Sequence, residues 1–401
     1  MTGWRRVNLR RLATLGTGHT PSRQKPDYWI DCSIPWLTLA DVWQLRDGTR
    51  KTVTETSEKV SKIGLANSAA VLHPPGTVAM SRTASVGFSC ILGVGMATSQ
   101  DYVTWTCGPN LKPRFLLYAL RGLREEILGM RMGSTHQTIY MPDIERIAVP
   151  APTVQVQERI ADYLDIETSR IDALIAKKRK MVSLLEERID ALIRHRISGS
   201  ALVDPTASAE TSTVRKILTK LNRPAVSDGE VITAFRDGQV TARSRRRSDG
   251  YTQSWSEGAT VQGVREGDVV VHGLDGFSGA IGVADTDGVC SPVYHVCEPT
   301  DGSDAAYIGS MLRLLAVDGY LGLFASSTRE RAVDFRNWDL FGRIPVPKVG
   351  FVEQKQIGDS IRKIAPLKAA VNRSTELAQE RRQALITAVV NGEMDVPRVG
   401  R

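Results

Sequence analysis

The sequence has few cysteines and lacks any long apolar run. Its five cysteines are scattered along 401 residues without CxxC spacing, which argues against a disulfide framework and a zinc site and favours a reducing compartment. No run of about eighteen apolar residues occurs, and the segment from Met1 to Leu12 is rich in arginine without an apolar stretch. We therefore expect neither a membrane span nor a signal peptide, and we expect a cytoplasmic protein.

Motifs of nucleotide-dependent and metal-dependent enzymes are also missing. The chain contains no GxxxxGK[ST] loop, no GxGxxG after a strand and no HExxH. The segment HPPG at His73–Gly76 has two prolines, but it lacks the polar residue before them and the aromatic residue after them that adenine methyltransferases carry. Asp143 and Glu145 resemble the start of a metal-nuclease motif whose acid-x-Lys part is absent. We predict no catalytic residue and no metal site in this chain.

Charge and composition only partly narrow the class of protein. The formal net charge of +8 favours a polyanionic partner, although many proteins with no nucleic-acid role are equally basic. The hydrophobic content of 42% suffices for two separate hydrophobic cores. The length and composition therefore allow two or three globular domains.

The segment from Thr153 to Gly199 has the clearest pattern in the chain. No Gly or Pro lies between Val154 and Ser198, and Gly199 suits a left-handed helix C-cap. Apolar residues recur there at steps of three, four or seven, as on one face of a helix. They are Ile160, Leu164, Ile171, Leu174, Met181, Leu185 and Leu192. A helix of some forty residues would be about 60 Å long.

The second half of the chain repeats the first at a spacing of about 195 residues. IAVP at Ile147–Pro150 recurs as IPVP at Ile344–Pro347, and LLEERIDALIRHRISG at Leu184–Gly199 recurs as LAQERRQALITAVVNG at Leu377–Gly392. The apolar stripe of the second helix includes Ile357, Ile361, Ile364 and Leu385. We expect a bend at Pro366, because an interior proline removes a helical hydrogen bond.

Short polar loops follow matching elements in both copies. In the first copy SRTASVG at Ser81–Gly87 follows an apolar strand, and GST precedes His136; in the second, HGL at 272–274 replaces SRT, and SST precedes Arg329. Together with IPWLTLADV at Ile34–Val42, interpreted as a strand, and the repeated I.VP pattern, these motifs resemble the DNA-specificity subunit of type I restriction-modification systems over essentially the whole chain. The second copy departs from the family pattern at HGL.

The resemblance implies an α+β fold with a pseudo-two-fold internal repeat. Two tandem mixed α/β target-recognition domains would be separated by two long helices that form an antiparallel coiled coil. The expected segments are a first target-recognition domain (1–150), a central spacer helix (151–200), a linker (201–213), a second target-recognition domain (214–347), a C-terminal spacer helix (348–395) and a tail (396–401).

The resemblance also implies a function without catalysis. Each domain would read one half of a bipartite double-stranded DNA target, and the helices would act as a spacer and as a dock for two methyltransferase subunits, with restriction and translocase subunits joining the complex. S-adenosylmethionine, ATP and Mg²⁺ would act in those partners, and this chain would hold no cofactor. The alternatives are a protein-binding scaffold and a diverged DNA methyltransferase or nuclease. The enzyme alternative would require a duplicated active site, and neither copy has one.

The candidate DNA-binding residues lie in polar and arginine-bearing loops, because such side chains reach base edges and phosphates. A lone loop arginine is nevertheless more often a solvated surface charge. In the first domain the candidates are Ser81, Arg82, Thr83, Arg131, Ser134, Thr135, His136 and Gln137. In the second they are Arg243, Arg245, Arg246, Arg247, His272, Ser327, Thr328, Arg329 and Arg331. The apolar stripes of both helices are predicted to form the spacer core and to dock partners.

Overall fold

The computed structural model describes residues 4–133, 137–197, 210–225, 229–246, 261–300, 302–324 and 335–397. The chain divides into two compact units, the first comprising Met1–Lys178 with Arg373–Arg401 and the second comprising Arg179–Asn372. Each unit therefore combines a globular domain with one part of each long helix. Among the described residues, no helix has both the length and the apolar character needed to span a membrane.

The first globular domain is built on a five-stranded sheet and a smaller three-stranded sheet. Its strands are β1 (Arg6–Asn8), β2 (Ala13–Thr17), β3 (Ile34–Leu37), β4 (Thr52–Val53), β5 (Glu58–Val60), β6 (Val78–Ser81), β7 (Ser89–Leu92), β8 (Ala97–Thr98), β9 (Tyr102–Cys107) and β10 (Ala148–Pro150). Its helices are α1 (Lys62–Ala66), α2 (Pro113–Gly122), α3 (Arg124–Gly129) and α4 (Met141–Ile144), and α5 (Val154–Ile197) follows. The sheets have the strand orders β2-β9-β6-β7-β4 and β5-β3-β8, and β1 pairs with β10.

The second globular domain is built on a four-stranded sheet. Its strands are β11 (Thr211–Thr213), β12 (Leu218–Lys220), β13 (Ile232–Ala234), β14 (Val240–Ala242), β15 (Gln262–Val264), β16 (Val269–His272), β17 (Ile281–Val283), β18 (Gly288–Cys290), β19 (Tyr294–Pro299) and β20 (Pro345–Pro347). Its helices are α6 (Val214–Ile217), α7 (Ala305–Val317) and α8 (Trp338–Phe341), and α9 (Phe351–Asn391) follows. The main sheet has the order β12-β19-β16-β17, and β11 pairs with β20.

The central strand of each main sheet separates two cores in the same way. Val78 and Met80 of β6 join the core beneath α2, whereas Ala79 joins a core on the opposite face. In the second unit Val269 and Val271 of β16 share a core with α7, and Val270 belongs to another. This alternation follows from the two-residue period of a strand. The first three residues of both strands are apolar because both faces of the sheet are covered there.

The repeat extends to individual backbone hydrogen bonds. Leu9 N donates to Ile147 O at 2.9 Å in the first unit, and Val214 N donates to Ile344 O at 3.1 Å in the second. The segments Arg6–Thr17 and Thr211–Lys220 are therefore equivalent, although few of their residues are identical. The last residues of the expected linker, 211–213, form β11 and pair with β20, so they belong to the second globular domain.

The prediction of one strand over Ile34–Val42 is wrong in its second half. The strand ends at Leu37, and a 3-10 helix, Leu39–Leu45, follows. Thr38 caps this helix, and the buried Asp41 carboxylate accepts hydrogen bonds from Thr38 N at 3.0 Å and Ser57 N at 2.7 Å. Capping residues thus override the strand-like pattern of apolar residues.

Both long helices are present, and within each unit their segments run antiparallel. In the first unit Asp172 pairs with Arg382 at 2.8 Å, and Lys178 Nζ donates to Ser374 O at 3.1 Å. In the second unit Glu186 pairs with Lys368. Residues later in α5 thus meet residues earlier in α9. Helix α9 continues through Pro366 without interruption, so the helix is not split there, and the bend stays a prediction.

The core role predicted for the apolar stripe on α5 is partly wrong, and its docking role stays a prediction. Ile160 and Leu164 are buried and Ile171 and Leu185 are half-buried, but Leu174, Met181 and Leu192 are exposed. The buried positions farther along α5 are Ile175, Ile193 and Ile197. On α9, Ile357 is buried and Ile361, Ile364 and Leu385 are half-buried, whereas Ile386, Val389 and Val390 are fully buried. A seven-residue spacing drifts about 20° per heptad around a straight helix, so a stripe drawn at that spacing leaves the covered face.

Candidate nucleic-acid interface

Loops of the first unit meet at one end of its five-stranded sheet. Thr17 at the end of β2 pairs with Val103, and Ser81 at the end of β6 pairs with Tyr102. The loops 18–25, 82–88 and 99–101 therefore emerge at the same end. The segment that precedes α4 joins them through a bridge between Thr83 and Thr138. The structure thus brings the two loops that the sequence singled out into contact; we call this group the first loop cluster.

Ser81 and Arg82 hold the backbone of the first loop cluster. The Ser81 hydroxyl is buried, accepts a hydrogen bond from Phe88 N at 3.1 Å and donates to the Ser85 carbonyl. Arg82 donates to Gln100 O at 3.0 Å and to Ile139 O at 3.3 Å. Both residues were predicted from the sequence to contact DNA. In the described structure the Ser81 hydroxyl offers no exposed edge to a ligand, and the Arg82 guanidinium is directed at protein carbonyls.

The neighbouring candidates Thr83, Arg131 and Gln137 complete the described part of this cluster. Ala84 N donates to Gln137 O at 2.8 Å, next to the bridge made by Thr83. The exposed Arg131 donates to the Gln137 side-chain oxygen at 2.7 Å. Ala84 has a φ of 56°, a left-handed conformation that costs a residue with a Cβ about 1–2 kcal/mol. Ser134, Thr135 and His136 lie outside the described residues.

Three candidate arginines of the second unit follow the β13–β14 hairpin. This hairpin turns at Asp237-Gly238, where Gly238 has a φ of 85°. Arg243 Nε donates to Thr233 Oγ1 at 3.0 Å, and Arg245 lies 3.6 Å from Asp285. Arg246 pairs with Asp237 at 2.9 Å and stacks over the Phe235 ring. The hairpin is thus basic, but its charges are partly neutralised. Arg247 lies outside the described residues.

His272 ends β16 and stabilises the loop that follows. Its Nδ1 accepts hydrogen bonds from Leu274 N at 3.1 Å and Asp275 N at 3.0 Å. Burial lowers the pKa of His272, and the nearby Asp275 opposes that shift only in part. The ring is therefore neutral at neutral pH and its Nδ1 can accept. Arg236 pairs with Asp275 at 2.9 Å and so connects this loop to the hairpin. The candidates Ser327, Thr328, Arg329 and Arg331 lie outside the described residues.

Two further segments of the first loop cluster contain polar residues that are not among the candidates predicted from the sequence. Thr20, in the loop after β2, donates to the side-chain oxygen of Gln100 at 2.5 Å. The Arg23 guanidinium carbon lies 3.9 Å from the ring centre of Trp29 and 5.3 Å from that of Trp36. The turn-rich GTGHTPSR and the polar SQD between two apolar runs were the available signals. Strand pairing places both segments next to other loops. The local sequence does not reveal that pairing.

The chemistry of these loops is hydrogen bonding and charge. Across the described ranges, no three His, Cys, Asp or Glu side chains converge as a metal site would require. The exposed groups are guanidinium, hydroxyl and amide groups, which suit phosphates and base edges.

Comparison with known proteins agrees with this arrangement. Residues 1–183 match the family model of the type I restriction modification DNA specificity domain. The chain is also 24% identical over 195 residues to the type I restriction enzyme MjaIX specificity subunit of Methanocaldococcus jannaschii, which is 46% of this chain and 41% of that protein. The first half of the chain is thus similar to the DNA specificity domain of type I restriction-modification systems. The internal repeat of sheet, helix and hydrogen bonds described above relates the second half of the chain to this matched half.

A second specificity subunit and a solved structure show the same likeness. The chain is 26% identical over 167 residues to the type I restriction enzyme EcoR124I/EcoR124II specificity subunit of Escherichia coli, which is 40% of each protein. A solved structure from a type I R-M system has a TM-score of 0.54 and 15% identity, and the alignment covers 98% of both chains. That likeness concerns the fold. The chain spans about two fifths of the length of the curated relatives it matches.

Proposed function

We propose that this protein is the DNA-specificity subunit of a type I restriction-modification system and binds double-stranded DNA through loops of both units. One observation carries the proposal: β2-β9-β6-β7 in the first unit and β12-β19-β16-β17 in the second pair in the same order, but the loops at their ends differ. Ser81 pairs with Tyr102 in one unit, and His272 pairs with Tyr294 in the other. A common framework with different polar loops suits two separate readings of base sequence. The exposed arginines nearby suit phosphates.

The proposed target is bipartite, with one half read by each unit. The proposed partners are two methyltransferase subunits, through which restriction and translocase subunits join. Exposed apolar side chains along the long helices support docking, because contiguous apolar surface marks interaction sites. These side chains are Leu174, Met181, Leu184, Leu192, Leu367 and Leu377.

We assign no chemical step to this chain, and the relatives that it matches are named specificity subunits. Methyl transfer would use S-adenosylmethionine in the methyltransferase subunits. Translocation and cleavage would use ATP and Mg²⁺ in the other partners. The described residues of this chain would contribute binding, orientation and the choice of sequence.

Replacement of one globular domain tests the proposal. Host DNA is mapped for methylated adenines by long-read sequencing, with this subunit and its modification partner present. The same mapping follows replacement of 214–336 by the corresponding segment of another specificity subunit. We expect a two-part motif of which only one half changes. The reciprocal replacement of 6–150 should change only the other half.

Two results would contradict the proposal. The absence of a two-part motif would argue against a specificity subunit with two readers. A change of both halves on either replacement would argue against the division of labour between the units.

A further inference from the structure

The turn 99–101 between β8 and β9 is fixed within the first loop cluster. Arg82 Nε donates to Gln100 O at 3.0 Å, and Arg82 N donates to Asp101 O at 2.8 Å. The Ser99 hydroxyl donates to the Asp101 carboxylate at 3.0 Å, and Ser99 N donates to Leu37 O at 2.9 Å. Hydrogen bonds from several segments therefore hold the backbone that carries Gln100.

The side chain of Gln100 is exposed and also oriented. Its Oε1 accepts the hydrogen bond from Thr20, and its Nε2 donates to no group among the residues that the structure describes. Ordering a free glutamine side chain on binding costs roughly 1.5–2 kcal/mol. The bond from Thr20 fixes the amide before any ligand arrives, which lowers that cost.

We propose that Gln100 is a specificity-determining residue that reads an adenine in the half-site of the first unit. The inference rests on the proposed function above. A glutamine amide presents a donor beside an acceptor, the pattern that matches N7 and N6 of adenine in the major groove. An amide oxygen has two lone pairs, so Oε1 can accept from adenine N6 while it keeps the bond from Thr20.

The neighbouring candidates point to the same residue. The Ser81 hydroxyl is buried, and the Arg82 guanidinium is engaged by two backbone carbonyls. Gln100 therefore presents an exposed amide at this end of the sheet, and the bond from Thr20 orients it. In the second unit the equivalent position is Pro292, because Tyr294 there has the register of Tyr102. Proline has no polar side chain, so this mode of reading is confined to the first half-site.

The test is methylation mapping with the full complex carrying Gln100→Ala, Gln100→Glu or Thr20→Val. In Gln100→Ala we expect the preference for adenine at one position of the first half-site to fall about tenfold. Gln100→Glu should shift that position toward cytosine, whose N4 donates to a carboxylate. Thr20 is a positioning residue, and Thr20→Val should relax the same position less.

The matched control is Gln155→Ala, which removes an exposed glutamine of the first unit from the start of α5, outside the first loop cluster. It should leave the motif unchanged. An unchanged motif in Gln100→Ala and Gln100→Glu would overturn this inference while the proposed function stands. Relaxation spread over both half-sites would also overturn it, because that result indicates a structural role. The absence of a two-part motif with the unaltered subunit would contradict the proposed function itself.

Discussion

The two units stabilise equivalent loops with different side chains. Ser81 ends β6 and binds the next loop through its hydroxyl, whereas His272 ends β16 and binds the next loop through Nδ1. Both residues pair with a tyrosine of the adjacent strand in the same register. The comparison teaches that the backbone framework is retained in both copies while the polar groups at its end differ. That combination supports the proposal that the two units read separate half-sites.

A second difference concerns one arginine on the helix that covers each sheet. Arg121 of α2 donates to Gly48 O at 2.8 Å, Arg50 O at 2.7 Å and Ser89 O at 3.3 Å. Arg313 of α7 lies against Gly238 instead, and its Nε has no hydrogen-bond partner among the described residues. Arg382 of α9 also donates to Gly48 O, at 2.7 Å. Arg121 thus connects three backbone carbonyls of the first unit through its guanidinium, whereas Arg313 Nε makes no such bond among the described residues.

The largest expected effect concerns the ion pairs between the long helices. Arg382 and Asp172 are nearly buried, with side chains 10% and 18% exposed. Asp172→Ala would leave the buried guanidinium without its carboxylate and should lower the unfolding free energy of the first unit by about 3 kcal/mol. Glu186→Ala should cost the second unit less than about 1 kcal/mol, because the Glu186–Lys368 pair is more exposed.

Hydrogen exchange measured on peptides of each unit would check this pair of variants. Asp172→Asn is the matched control, since its amide oxygen still accepts a hydrogen bond from Arg382 and the loss should be smaller. Equal losses of unfolding free energy in Asp172→Ala and Glu186→Ala would contradict the contrast between a buried and an exposed ion pair.

The next largest expected effect concerns Arg121 of α2 and Arg313 of α7. Burial and the charge of Arg382 lower the pKa of Arg121 to about 10, so its guanidinium stays protonated at neutral pH. Arg121→Met would leave three carbonyls without this donor and should cost the first unit about 2 kcal/mol. Arg313→Met should be close to neutral for the second unit. Urea unfolding of both variants measures the difference, and a larger loss for Arg313→Met would refute the bracing role of Arg121.

The smallest expected effect is a pH dependence of the stability of the second unit. Burial lowers the pKa of His272, so between that pKa and the ordinary value of about 6.5 the unfolded chain binds more protons than the folded one. Stability is therefore full above that ordinary value and falls as the pH falls. His272→Ser, which copies Ser81, should make the fall shallower. The variant retains His295, whose pKa burial also lowers, so the dependence should persist in part.

Urea midpoints at about pH 7.5 and about pH 5.5 would measure this dependence. The same difference between the two midpoints in the unaltered chain and in His272→Ser would show that His272 does not contribute to it.

The architecture was largely predictable because its signals are local or repeated. The absence of Gly and Pro over Val154–Ser198 predicted α5, which runs from Val154 to Ile197. The β13–β14 hairpin turns at Asp237-Gly238, and an Asp-Gly pair is a local signal for such a turn. The covered face of α5 was predicted less well, because it depends on which residues the globular domain and α9 contact. Ile175 and Ile193 are buried, whereas the predicted Leu174 and Leu192 are exposed.

The sequence by itself determined the repeat, the two long helices, the family resemblance and the polar character of the loops. Those features reside in spacing and residue type, which a linear pattern preserves. Only the tertiary structure decided which polar groups face outward. Ser81 became buried and the exposed Gln100 amide became oriented because sheet pairing brings loops around residues 20, 82, 100 and 139 together. Burial and hydrogen bonding at that junction depend on residues distant in sequence, and no local pattern encodes them.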